Sequence, residues 1–171
     1  MKKQVLFGLA ILIVLGGLFL GGRSSSAVAR EPKILEFDSM VGVPSTLTGT
    51  QASAAFRGVN AGGLPWTVGS AFGELKASGK LEIDVQGLVF AAGPNTGTNT
   101  VASFRAIVSC LKSDGTPQNV STGNFPATTG PASAGGGNAH IETTLSLPQP
   151  CFAPIVFVTS PGGAWFAVTG K

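Results

Sequence analysis

His140 is the only histidine of the chain and the first candidate for acid–base chemistry. Composition allows a serine–histidine–acid triad, because Asp84 and Asp114 could supply the acid. No serine stands in a Gly-x-Ser-x-Gly nucleophile elbow, however. His140 also alternates with Ile141 in a strand-like run, which places it on the solvent face of a strand. We therefore predict a structural role for His140 and no catalytic residue.

Two carboxylates could also do chemistry. Glu82 and Asp84 lie two residues apart on a predicted strand, so they share one face at about 7 Å between Cα atoms. Paired carboxylates carry out acid–base work in glycosidases. Lys80 continues the same polar pattern, which is more typical of the wet face of a half-buried strand. Two distant cysteines and one histidine are too few ligands for a metal site, so we expect neither metal nor cofactor.

The two tryptophans differ in their surroundings. Trp66 follows a turn-rich stretch, Gly62-Gly63-Leu64-Pro65, and is the candidate ligand-binding residue, since an exposed indole can stack on a sugar. Trp165 lies in an apolar run and is predicted to be in the core. The chain has no tyrosine, which weakens the carbohydrate-binding interpretation.

Cys110 and Cys151 make an even cysteine count, which favours a disulfide if the chain is exported. The bond would close a loop of roughly 40 residues and stabilise the fold by on the order of 4 kcal/mol. Cysteines so far apart in sequence do not resemble a redox-active pair. We expect a structural bridge.

The N-terminal 29 residues have the three parts of a secretory signal peptide. Lys2 and Lys3 precede an uncharged stretch over residues 5–22, and Ala27-Val28-Ala29 is a small-x-small cleavage site. We predict cleavage after Ala29 and an extracytoplasmic or secreted protein. The alternative is an uncleaved anchor formed by residues 5–22, with membrane contact only in that case.

Charge excludes one class of partner. From Arg30 onward, eight basic and eight acidic residues remain, because the surplus belongs to Lys2, Lys3 and Arg23. No lysine–arginine cluster is left to neutralise a phosphate backbone, so no nucleic-acid partner is expected. The partner is otherwise unknown; a cell-surface polysaccharide or protein is possible.

The elements that would position these residues are strands. Apolar and polar residues alternate clearly over residues 80–85, and Ser78-Gly79 before them predicts a hairpin turn. Strands of this kind recur with turn signals every 8–12 residues or so, which indicates an antiparallel β-sandwich or a barrel-like Greek key of eight to ten strands. We predict one all-β domain over residues 30–171, after an N-terminal signal helix.

Two runs near the end of the chain, residues 153–159 and 164–169, are apolar on both faces. Such runs are typical of strands at the centre of a sheet that is covered on both sides. Ser160-Pro161-Gly162-Gly163 between them predicts a turn, and the prolines and glycines argue against a transmembrane helix.

Three segments carry a resemblance: GGLPWTVGSAFGELKASGKLEIDVQGLV, FRAIVSC and CFAPIVFVTSPGGAWFAVTG. Together they resemble small secreted bacterial proteins that have no assigned activity. The resemblance covers most of the mature chain and implies secretion, and it brings no catalytic residue or ligand with it.

The sequence thus predicts a secreted, non-enzymatic β-sandwich module with a structural or binding role. Two alternatives stay open. One is a carbohydrate-binding module that uses Trp66, and the other is an extracellular hydrolase.

Overall fold

The computed structural model describes residues 30–48 and 55–169. The predicted signal segment with its cleavage site at Ala29 lies outside the described residues. In the described ranges the chain forms fourteen strands and two short 3-10 helices, Ser45–Leu47 and Ala132–Ala134. The strands are β1 (Lys33–Phe37), β2 (Met40–Gly42), β3 (Trp66–Thr67), β4 (Ser70–Lys76), β5 (Lys80–Gln86), β6 (Val89–Phe90), β7 (Thr98–Asn99), β8 (Ser103–Leu111), β9 (Pro117–Ser121), β10 (Phe125–Pro126), β11 (Gly130–Pro131), β12 (Ala139–Thr144), β13 (Phe152–Thr159) and β14 (Trp165–Thr169).

Two antiparallel sheets hold the longer strands. Sheet A has the strand order β1-β4-β5-β12, and sheet B has the order β10-β8-β13-β14-β2, with β9 also paired to β8. Two small ladders, β3 with β6 and β7 with β11, complete the pairing in the described ranges. The all-β sandwich prediction is confirmed. The described residues form more strands than the eight to ten predicted, because five of the fourteen are only two residues long; the other nine have three residues or more.

The main core lies between the two sheets. Alternate residues of each strand face inward, as the period of two requires. Sheet A contributes Leu75, Leu81, Ile83 and Ile141, and sheet B contributes Phe104, Val108, Val156 and Val158, all fully buried. This cluster joins the sheets.

A second, smaller core covers the opposite face of sheet B. Phe157 and Trp165 on that face pack against Val43, Val59 and other residues of the segment before β3. This cover explains why β13 and β14 are apolar on both faces, and the predicted central hairpin is confirmed, since β13 lies between β8 and β14.

The hairpin between β4 and β5 turns at Gly79, as predicted. Gly79 has φ +90°, and its amide donates to the carbonyl of Lys76 at 2.9 Å. A Cβ atom there would lie only 1.8 Å from the carbonyl oxygen of Leu145, far inside van der Waals contact. The turn therefore requires glycine, and it fixes the register that places Glu82 and Asp84 on the outer face.

Candidate functional site

Trp66 lies in the core, and the exposed position expected for it is wrong. Its side chain is 3% exposed, and its ring is stacked on Phe166 at 3.9 Å between centroids and lies 4.2 Å from Phe90. The turn-rich sequence before Trp66 suggested a surface loop, but β3 pairs with β6, and the ring packs against Phe90 and Phe166. Trp66 therefore offers no face for a sugar to stack on.

The predicted disulfide is confirmed. Cys110 and Cys151 are bonded, with their Cα atoms 4.9 Å apart, and Cys110 is completely buried. The bond ties β8 to the residue before β13, within one sheet. A structural disulfide of this kind is typical of chains that mature in an oxidising, extracytoplasmic compartment.

The outer face of sheet A carries the acidic residues singled out in the sequence. In the strand register Glu36 stands opposite Glu74, Glu74 opposite Glu82, and Glu82 opposite Glu142. One glutamate from each strand therefore lies in a row across the sheet. Like charges directly opposite each other destabilise a sheet. The register, which no single strand reveals, creates this row.

Lysines offset part of that repulsion. Lys33 Nζ lies 2.7 Å from both Glu36 and Glu74, and Lys80 Nζ lies 3.0 Å from Glu142. The hydrogen bond from Lys33 lowers the pKa of Glu74, and that from Lys80 lowers the pKa of Glu142. These carboxyl groups are stabilised as anions, whereas a general acid needs a raised pKa.

His140 is on the solvent face, as predicted, and has an acidic partner. Its Nδ1 lies 3.0 Å from Asp84 Oδ1, and this hydrogen bond raises the pKa of His140. Among the described residues no serine is hydrogen-bonded to His140. Asp114, the other candidate acid, lies in the β8–β9 turn, where it accepts hydrogen bonds from Thr116. A histidine–carboxylate pair is present, but the described chain supplies no nucleophile to it.

A groove of about 980 Å³ opens beside this polar face. Its lining combines five carboxylates with apolar residues and comes from three parts of the fold: Leu35, Glu36, Phe37 and Asp38; Phe72, Gly73, Glu74, Glu82 and Asp84; and Pro154, Ile155 and Thr169. Phe72 is about half exposed at this surface. The groove can hold a ligand that has both cationic and apolar groups.

Sequence reasoning found Glu82 and Asp84 but missed the groove. The strands that meet there, β1 with β13 and β14, are more than a hundred residues apart in sequence, and no local pattern predicts their approach. An apolar Phe72 among polar neighbours on an outward face was the one available signal.

Comparison with known protein families, with curated proteins and with solved structures gives no match to this chain. Within residues 30–48 and 55–169, no helix is long and apolar enough to cross a membrane. The same ranges contain no group of three or more His, Cys, Asp or Glu side chains arranged to hold a metal ion.

Proposed function

We propose that this protein is an exported, non-enzymatic binding module whose ligand lies in the groove beside the outer face of sheet A. The observation that carries the proposal is the groove itself. It is large enough for a ligand, since small-molecule sites measure roughly 300–1,000 Å³, and it has an exposed aromatic side chain beside fixed charges.

The arrangement of the carboxylates supports binding over hydrolysis. Glu82 and Asp84 lie on one strand and approach a ligand from the same side. Glycosidic hydrolysis instead needs two carboxyl groups that flank the scissile bond. Glu74, next in the row, is held as an anion by Lys33.

Export is part of the proposal and has its own test. The disulfide supports it, because such bonds persist outside the cytoplasm. The form recovered from the native host should begin at Arg30, and its intact mass should not change on treatment with a thiol-alkylating reagent until a reductant is added. A mature protein that retains residues 5–22 would show anchoring instead.

The binding test is an amide-resonance titration of the isotope-labelled mature protein. The ligands are a basic peptide, an acidic peptide, and neutral cellulose- and chitin-derived oligosaccharides. We expect at least one class to shift resonances of groove residues, with Phe72→Ala weakening the interaction. Val41→Ala is the matched control, because Val41 is an exposed apolar residue of β2 that does not line the groove.

Two results would refute the proposal. One is a titration in which no ligand class shifts the groove resonances. The other is release of shortened oligosaccharides that stops in a Glu82→Gln variant, because this would make the protein a hydrolase.

A further inference from the structure

β1 is an edge strand with an open side. Among residues 30–48 and 55–169 it pairs in sheet A with β4 alone, so its other edge carries backbone N–H and C=O groups that no described strand of sheet A pairs. Four consecutive residues, Leu35 to Asp38, line the groove. Leu35, Glu36 and Phe37 belong to β1 and point alternately to opposite faces, so a cavity that touches all three meets the strand at its edge.

The opposite wall of the groove does not close this edge. Pro154 has no N–H to donate, and the register of β13 against β8 shifts between Phe152 and Ile155. Ala153 has φ +41°, and its carbonyl accepts a hydrogen bond of 2.8 Å from Arg57. Within the described residues the start of β13 is therefore fixed beside β8 and forms no ladder with β1, although the two strands are neighbours.

Charge indicates what would fill the space. In the part of the chain that the structure describes, the groove is lined by five carboxylates and by no lysine or arginine. Within residues 30–48 and 55–169, Asp38 and Glu82 take part in no ion pair, whereas Glu36 and Glu74 share Lys33. On the inner side, Leu35 and Phe37 belong to the apolar core and border the same groove.

We infer that the groove binds an extended peptide segment with alternating basic and apolar residues, which pairs as an added strand with the free edge of β1. Its lysine or arginine side chains point toward Glu36 and Asp38, which lie two residues apart on the same face at the end of β1. Its apolar side chains point toward Phe37 and Ile155. Main-chain hydrogen bonds supply affinity and the alternate side chains supply specificity, as in other β-strand additions. The inference rests on the proposed function, since it names the ligand of that same groove.

The test uses the mature protein and a synthetic peptide of roughly nine residues in which lysine and valine alternate, long enough to span β1 at about 3.3 Å per residue. We expect it to bind more than about tenfold tighter than its glutamate–valine counterpart, and to lose that advantage at about 1 M salt, where screening reaches ~3 Å. Asp38→Asn should weaken binding about two- to fivefold. Asp114→Asn, the same change in the β8–β9 turn outside the groove, should not.

Strand addition has two further readouts. Methylating alternate backbone nitrogens of the basic peptide should abolish binding, because it removes donors without removing charge. Binding of the unmodified peptide should also slow hydrogen exchange at amides of β1. If the methylated peptide binds equally well, or β1 gains no protection, strand addition is refuted.

The failures of the two proposals can be told apart. If an oligosaccharide shifts the groove resonances and the basic peptide does not, the binding module remains and the peptide inference falls. If neither shifts them, both fall.

Discussion

Removing the bond between Cys110 and Cys151 should cost the protein a large share of its stability. The bond closes a loop of 41 residues that contains β9 to β12. In this loop β9 and β10 pair with β8 in sheet B, and β12 belongs to sheet A. Without the bond, the unfolded chain gains the freedom to separate the two ends of this loop. The double variant Cys110→Ala/Cys151→Ala therefore tests how the sandwich is held together.

The size of the effect follows from the loop length. The loop-closure relation gives an entropy of about 13 cal/mol/K for 41 residues, or roughly 4 kcal/mol at 25 °C. A single domain is stable by only about 5–15 kcal/mol. The variant should still fold, with the free energy of unfolding lowered by about 4 kcal/mol and a higher dependence on denaturant, since the unlinked unfolded chain exposes more surface.

The assay is urea unfolding followed by tryptophan emission. Trp66 reports the main core and Trp165 the second core, and both are 3% exposed, so both should shift to the red on unfolding. Wild-type protein unfolded in reductant is the matched control, because it loses the loop and keeps the sulfur atoms. A loss of less than about 1 kcal/mol in both cases would refute the loop-closure reasoning.

Three further outcomes are expected. The hydrogen bond to Asp84 raises the pKa of His140 in the folded protein. The pair therefore contributes its full stability below the unfolded pKa of about 6.5, and this contribution is lost as the pH rises through the folded pKa. Asp84→Asn should lower the pKa measured from the single histidine resonance, and an unchanged titration would contradict the contact. Gly79→Ala should lower the stability of the protein in thermal unfolding by more than Gly115→Ala does. Both glycines have positive φ, but of the two only Gly79 would bring a Cβ atom against backbone. Gly115→Ala should cost about 1–2 kcal/mol, and equal losses of stability in the two variants would count against the clash. Phe157→Ala should cost about 3–5 kcal/mol, since the ring is fully buried in the second core, and a loss under about 1 kcal/mol would show that this core adds little.

The fold could be predicted well from local patterns. Alternation over residues 80–85 gives β5 and its outward carboxylates, and the two-sided apolar runs give the central hairpin of sheet B. Both signals are local, because the side-chain period of a strand is a property of a few consecutive residues. The cysteine pairing was also accessible, since two cysteines allow one intramolecular bond.

The site could be predicted only in part. Burial of Trp66 depends on the ladder between β3 and β6 and on Phe166, which lies a hundred residues further on. The groove depends on how β1 approaches β13, and the glutamate row depends on the register of four strands. Long-range contacts of this kind leave no trace in a single stretch of sequence.

The outer faces of the two sheets differ in what packs on them. This difference gives the best reason to look for a ligand on sheet A. The outer face of sheet B is covered by the chain itself, through Val43 and Val59 packed on Phe157. On the outer face of sheet A, no such second core forms within residues 30–48 and 55–169, and glutamates stand opposite each other in three successive strand pairs. This pattern lowers stability unless cations lie nearby. Lys33 and Lys80 offset this at the two ends of the row, whereas Glu82, in the middle, has no ion-pair partner in the described chain. A face optimised for solubility alone would intersperse charges of both signs. The uncompensated Glu82 in the lining of the groove is therefore better explained by a cation that arrives with a ligand.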